Sequence, residues 1–435
     1  TCGFFEITDS DASEKGTLTG MAFNRDKLGR AVESLVVLTA VSGIALTLWF
    51  VFSRLRFFFG VDYHMVHGWM AGYLKTGVFY PPDSLFYNAP LAVLAFGPWL
   101  FLPVHLAIVL KFIQTAFLSG VCIFLLLKLR PDMMKNGTAG PFALAIMAGT
   151  FFVVQLSYLN IYVEVATCLM AFLFFLDRGK EKTAAFFLAL SMVFKVFLAP
   201  LLLVPLLTKN FRLLGWSLGF LACLGFLSLA LFGFDTHMDM LRAMGETYGK
   251  MRLHGIGYPY VSDSFAGWQD LFNKLSVTGI LDRGMVLPLT FTMAGLYVCL
   301  FLYTCFLLYR ISGEGERHSR FPEKVFSTVL VFCIGFNFRF DHGVLLFAAL
   351  PFFRDFRARD RVWLTASLAL VTLSRLLVEK GLELLGFPGA QHFAAGLFYV
   401  LSFQFIGINL LLFAVVNHWS DRAAGVSGSQ GKMDE

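Results

Sequence analysis

The sequence predicts an all-α polytopic membrane protein of about 12 transmembrane helical segments, and three observations carry that prediction. The chain of 435 residues is 57% hydrophobic and only 15% charged, with a mean hydropathy of +0.70, whereas a soluble domain is about 45–50% apolar and about 25% charged. Its apolar residues fall in runs close to the roughly 20 residues that a membrane-crossing helix needs. Short basic clusters recur between those runs. A nucleic-acid binder, a secreted disulfide scaffold and a disordered regulator are excluded, and no nucleic-acid partner is expected. The +6 formal charge therefore reads as a topology signal.

The elements follow in chain order. Residues 1–31 read as a cytoplasmic N-terminal tail: the first 20 are polar and acidic, a disordered tail or a start-site artefact, and Arg25, Lys27 and Arg30 flank a retained first span. Further clusters follow at Lys128/Arg130/Lys135, Arg178/Lys180/Lys182, Lys209/Arg212, Arg310/Arg317/Arg320/Lys324, Arg354/Arg357/Arg359/Arg361 and Arg422/Lys432. With the first they hold 21 of the 35 basic residues, and the positive-inside rule places them all on the cytoplasmic side. An even number of crossings must separate each cluster from the next.

Parity then shapes the multi-pass domain, residues 32–417. Residues 32–59 leave the cytoplasm and 104–129 return, so 88–103, with Pro90, Pro98 and Pro103, should not cross fully; it reads as re-entrant or surface-lying. Residues 141–157 go out and 160–177 come back. The run 184–207 is long enough for one span only, which predicts two half-helices with a break near Lys195. Residues 213–233 exit, 234–284 form a large outer loop, and 285–309 return. The run 325–353 repeats the hairpin with Arg339, Asp341 and His342 at its outer tip, and 362–378 and 392–417 complete the set before a cytoplasmic tail, 418–435. Six of the seven cysteines (Cys122, Cys168, Cys223, Cys299, Cys305, Cys333) lie in these runs without C-x-x-C spacing and read as buried small hydrophobes.

The same sorting gathers costly polar residues on the outer side: Asp62, His64, His67, Gln155, Asn160, Lys195, Asp341 and His342. Ionisable groups near membrane depth are functional candidates by default. In the first outer loop, residues 60–103, the spacing of Tyr63, Val66, Trp69, Met70 and Tyr73 predicts a short amphipathic helix on the membrane surface. Asp62 stands at its start, where it is either a plain N-cap or, partly desolvated beside two histidines, a general base within reach of a hydroxyl. Spacing leaves both readings open.

Asp62, then Leu74-Lys75-x-Gly77-x-x-Tyr80, then Phe86-Tyr-Asn-Ala-Pro-Leu91 and a Pro-broken apolar run, resemble the first outer loop of membrane glycosyltransferases of the GT-C class. Within that class the loop is similar to the family 87 type, which includes polyprenyl-phosphate-mannose-dependent mannosyltransferases. Gln155-Leu-Ser-Tyr-Leu-Asn160 is similar to that family's G-Q-x-N stretch with longer spacing and Val154 for the glycine. The run 188–207 resembles its Lys- and Pro-containing hairpin at Lys195 and Pro200, and Asp341-His342 resembles a late outer-tip motif. The large outer loop and the C-terminal helices match nothing in this pattern.

The resemblance implies a GT-C-like bundle whose first outer loop carries juxtamembrane helices, in the inner or plasma membrane with the active site extracytoplasmic. It implies transfer of a hexose, mannose first, from a polyprenyl-phosphate donor to a hydroxyl of a lipid or glycan acceptor, with inversion, for a cell-envelope glycan. Asp62 takes the position of the catalytic base; Lys195, Arg339 and Arg56 are candidates for the donor phosphate; His64, His67, Tyr80, Tyr87, Asn88, Gln155, Asn160, Asp341 and His342 are candidates for substrate binding. Bland readings stand beside these: snorkelling for Lys195, interfacial anchoring for Arg54 and Arg56, an aromatic belt for the tyrosines, and a capping pair for Asp341/His342. No metal or other cofactor is expected, because Asp62, His64, His67 and Asp83 form a weaker pattern than H-E-x-x-H, and no Walker A motif is present. The rivals are a lipid-linked-sugar transporter or flippase and an O-antigen-type polymerase or ligase that uses the loop residues His237, Glu246, His254 and Asp263.

Overall fold

The computed structural model describes residues 60–80, 89–131, 158–253, 279–313, 321–336, 343–353 and 403–430, with Gln155 and single positions within 268–276 and 363–370. Every regular element among the described residues is helical. Helix α1 spans Val61–Thr76, where the sequence predicts a surface helix. Tyr63, Val66 and Met70 are buried along one face, with Trp69 and Tyr73 packed beside them, as apolar residues at 3- and 4-residue spacing require. Gly60 and Gly77 bound the helix, both at φ 71°, a left-handed conformation that costs glycine nothing.

The proline-rich stretch does not form a full span. It makes two short 3-10 turns, Pro90–Phe96 and Pro98–Phe101, each opened by a proline, whose missing N–H is no loss at a helix start. Leu91, Ala92, Val93, Ala95 and Phe96 are buried. Gly97 separates the turns at φ 90°, and a Cβ there would stand 2.7 Å from Gln114 Oε1 and from the Trp99 ring. Gly97→Ala should therefore lose about 2–4 kcal/mol, combining left-handed strain with overpacking. Thermal unfolding in detergent checks this; an unshifted midpoint contradicts the close approach.

The bundle continues with α2 (Val104–Leu129), α3 (Tyr162–Asp177), α4 (Glu181–Phe194), α5 (Leu203–Leu207), α6 (Phe211–Leu253), α7 (Val286–Gly313), α8 (Phe321–Phe336), α9 (Gly343–Phe353) and α10 (Phe403–Gln430). Among the described residues three stretches are long and apolar enough to cross a membrane: Val104–Leu129, Phe211–Ala243 and Arg283–Ser312. The chain is a membrane protein. Most of the surface of the latter two stretches lies outside the core, and Cys223 and Cys299 are exposed there. This corrects the expectation that six cysteines are buried: Cys122, Cys168 and Cys333 are, and Cys305 is half-buried.

Side-chain contacts fix the helix directions. Lys111 meets Glu164 and the Leu118 carbonyl accepts from Thr167, so α2 and α3 run parallel. The chain reverses after α3 through Gly179 at φ 68°, and Phe175 stacks on Phe187 across the reversal, 5.6 Å between centroids. Lys182 lies over Trp216 and Phe186 meets Phe220, which makes α4 and α6 parallel. Lys209 lies over Tyr309, near the end of α7. The clusters at Lys128, Arg178–Lys182, Lys209/Arg212 and Arg310 thus gather at one end of the bundle, as the parity argument requires.

Helix α4 ends at Lys195, which is extended (φ −141°, ψ 98°) before a 3-10 turn, Val196–Leu202. Gly233 breaks α6 with φ 78°, ψ 162° where the sequence ends the span, but residues 234–253 are helical. The region read as a large outer loop therefore opens as a helix. Likewise α10 passes through the 417/418 boundary: Trp419 is fully buried, its Nε1 donates to Thr328 Oγ1 at 2.8 Å, and its ring meets the edge of Phe321.

Candidate functional site at the start of helix α3

Five residues at the start of α3, Asn160 to Glu164, connect three other elements. Asn160 uses both ends of its amide. Its Oδ1 accepts from the Ile161 N–H at 2.7 Å, which orients Nδ2 to donate to Asp62 Oδ2 at 2.6 Å. These two residues are 98 positions apart in sequence. Leu159, just before, is buried with φ 54°, a left-handed conformation that is strained for a branched side chain and is found most often at functional sites.

Asp62 is not the N-cap of α1. That position belongs to Gly60, and Asp62 stands in the first turn, half-buried with its carboxylate directed to another helix. Lys195 comes to the same turn from the end of α4: its ammonium lies 4.1 Å from the Tyr162 ring centre. An ammonium over a tyrosine face is attracted by the ring quadrupole and held in direction. Asp62, Asn160 and Lys195 therefore lie at the end of the helices opposite the basic clusters.

The other expected residues are placed as follows. His67 Nε2 is 2.8 Å from the Leu102 carbonyl oxygen, so the imidazole pins α1 to the end of the 3-10 segment. His64 is exposed. Tyr80 is buried against Phe79, which meets it edge-on at 4.9 Å. Burial pushes the phenols of Tyr80 and Tyr63 well above their ordinary pKa, which keeps both neutral. Gln155 is fully buried, and its carbonyl accepts from the Leu159 N–H. Arg54, Arg56, Asp83, Tyr87, Asn88, Arg339, Asp341 and His342 lie outside the described residues. Among the described residues no cluster of three or more His, Cys, Asp or Glu side chains is arranged to hold a metal ion.

A polar network went unread in the sequence. Lys111, fully buried in α2, pairs with Glu164 Oε1 at 2.5 Å. Its Nζ also donates to the Ala95 carbonyl at 2.9 Å. Gln114 Nε2 donates to Glu164 Oε1 at 2.9 Å and to Ala95 O at 3.1 Å, while its Oε1 accepts from Trp99 Nε1 at 2.7 Å. The signal was available: a lysine inside a 26-residue apolar helix demands a partner at membrane depth. Lys111→Met alone strands the Glu164 carboxylate and should cost about 3–5 kcal/mol, read as a lower unfolding midpoint in detergent.

A helical membrane protein that brings a carboxylate, an oriented amide and a lysine to one end of its bundle has the parts for proton abstraction and anion stabilisation at a membrane surface. Comparison with known proteins supplies the class of reaction. The model of glycosyltransferase family 87 matches residues 80–336, more than half of the chain, and the chain belongs to this family. It is accordingly a glycosyltransferase, and membership removes the ground for the transporter reading. No curated protein and no solved structure matches the chain. The matched region contains Asn160, Tyr162, Glu164 and Lys195; Asp62 lies before it and is tied to it by the Asn160 hydrogen bond.

Proposed function

We propose that the chain transfers a hexose, mannose first, from a polyprenyl-phosphate donor to a hydroxyl of a lipid or glycan acceptor, with inversion at the anomeric carbon. Asp62 is the general base. It takes the acceptor proton as the hydroxyl oxygen attacks C1, the bond from C1 to the phosphate oxygen breaks, and polyprenyl phosphate leaves with the bonding pair. Negative charge grows on that phosphate, so a cation beside it stabilises the transition state more than the ground state. Lys195 is assigned that role, with Arg56 and Arg339 as further phosphate ligands.

The observation that carries the reading is the 2.6 Å bond from Asn160 to Asp62, with Lys195 on Tyr162 two residues further along the same turn. Family membership supports glycosyl transfer in general. We place the chemistry on the extracytoplasmic side of the inner or plasma membrane, because the site is opposite the basic clusters that the positive-inside rule assigns to the cytoplasm. The wider frame is a GT-C-like bundle of about 12 segments that begins after a cytoplasmic tail, residues 1–31, and includes the packed part of α10 beyond residue 417, with outer segments 60–103 and 234–284. His64, Tyr87, Asn88, Asp341 and His342 are assigned to the substrates, while the buried Tyr80 and Gln155 and the His67 imidazole on the Leu102 carbonyl support the walls behind them, and the reaction is written without a metal.

The test supplies purified chain in lipid nanodiscs with polyprenyl-phosphate mannose and a lipid extract from cells lacking the protein. Release of polyprenyl phosphate together with a new mannolipid is the expected result. A donor that is moved across the bilayer but not consumed overturns it.

A further inference from the structure

The start of α3, from Asn160 just before it to Glu164 in its first turn, has three attachments. Asn160 reaches Asp62 on α1, Tyr162 carries the ammonium of Lys195 at the end of α4, and Glu164 pairs with Lys111 on α2. The first two are the site; the third is not part of the chemistry. Lys111 and Glu164 are 0% and 6% exposed as side chains, too buried to meet either substrate.

A buried ion pair is weak evidence for stability, since apolar side chains of similar volume often serve as well or better. What it supplies is direction. Lys111 and Gln114 both bond Glu164 and the Ala95 carbonyl, and Gln114 adds Trp99. Helix α2, the turn of α3 and the broken segment Pro90–Phe101 are thereby locked by bonds that tolerate little sliding. Glu164 lies four residues from Asn160 and two from Tyr162. At about 1.5 Å of rise per residue, any shift of this turn along α2 passes almost undiminished to both.

We propose that Lys111, Glu164 and Gln114 are positioning residues for glycosyl transfer, holding the first turn of α3 in the register at which Asn160 sets the Asp62 carboxylate and Tyr162 sets the Lys195 ammonium. The proposal rests on the reading of Asp62 and Lys195 given above. It separates rate from binding and from stability, because misplacement by about 1 Å costs up to about 100-fold in rate.

The test uses full-length chain in nanodiscs with polyprenyl-phosphate mannose and the lipid extract, following released polyprenyl phosphate. Lys111→Leu/Glu164→Leu removes both charges, so neither is stranded. The expected result is an unfolding midpoint close to that of the unsubstituted chain, a donor KM within about twofold and a kcat lowered about tenfold or more. Unchanged kcat in a stably folded double variant overturns the proposal and leaves the pair a structural filler. Where the double variant does not insert, Gln114→Met decides, because it keeps the ion pair and removes the Gln114 bonds to Glu164, Ala95 and Trp99: a kcat lower by about threefold or more supports the proposal, and an unchanged kcat overturns it. Asp62→Asn run alongside keeps the two claims apart. Its retained activity rejects the catalytic reading itself, whereas its loss beside normal kcat in the network variants rejects only the positioning role.

Discussion

Asp62→Asn is expected to lower turnover about 1000-fold while the protein still folds and inserts. Asparagine has the size of aspartate, and its amide oxygen can still accept from Asn160 Nδ2, which now makes a 2.6 Å bond to Oδ2. What disappears is the capacity to take a proton, and general-base catalysis typically contributes about 10²–10⁴-fold. The loss should fall on kcat, with the donor KM little changed, because an uncharged amide still fills the site. Asp62→Glu tests geometry separately: one added methylene displaces the carboxylate from Asn160, so a partial loss is expected. Polyprenyl phosphate release is the measurement, and near-normal turnover in folded Asp62→Asn removes Asp62 from the mechanism.

The second large effect is expected at Lys195. Lys195→Met keeps an unbranched apolar stem against Tyr162 but removes the charge, and loss of one group that stabilises a developing anion costs about 10²–10³-fold in kcat. Lys195→Arg should recover part of the rate. A guanidinium stacks on the tyrosine face and pairs with phosphate oxygens, although its planar fork changes the geometry. A snorkelling lysine gives a different pattern, with Met and Arg both near normal in rate. The ring beneath it, Tyr162, is only 3% exposed with the ammonium 4.1 Å from its centre, and the two variants separate the readings.

Periodicity and charge make much of this architecture legible in the sequence. Apolar spacing located α1, prolines predicted that 88–103 would fail to span, and the parity of basic clusters predicted a break near Lys195, where α4 ends. These are local signals. The contact between Asp62 and Asn160 was not legible, because parity assigns a leaflet and says nothing of neighbours across 98 residues. His67 reads as a substrate group in the sequence, but its bond to Leu102 is tertiary and leaves no trace in spacing. Lys111 and Glu164 were missed for another reason: each was absorbed into an apolar run, although a lone charge there is itself a signal. Helical residues beyond Gly233 and beyond position 417 were read as loop and tail because polarity rises there, and a helix can continue wherever one face still packs.

Gly60 and Leu159 give the site a signature that sequence comparison can use. Both are left-handed, at φ 71° and 54°, and a Cβ on Gly60 would lie 3.2 Å from Leu159 Cδ1. The Leu159 side chain lies where a Cβ on residue 60 would project, so a larger residue there needs the leucine to give by a few tenths of an ångström. Substitutions at the two positions should therefore covary among relatives, with glycine at 60 retained wherever a large residue precedes the asparagine. A pattern of Gly-x-Asp followed about a hundred residues later by a bulky residue and Asn would recognise the Asp62–Asn160 end of the bundle ahead of residue 80, where the family match begins.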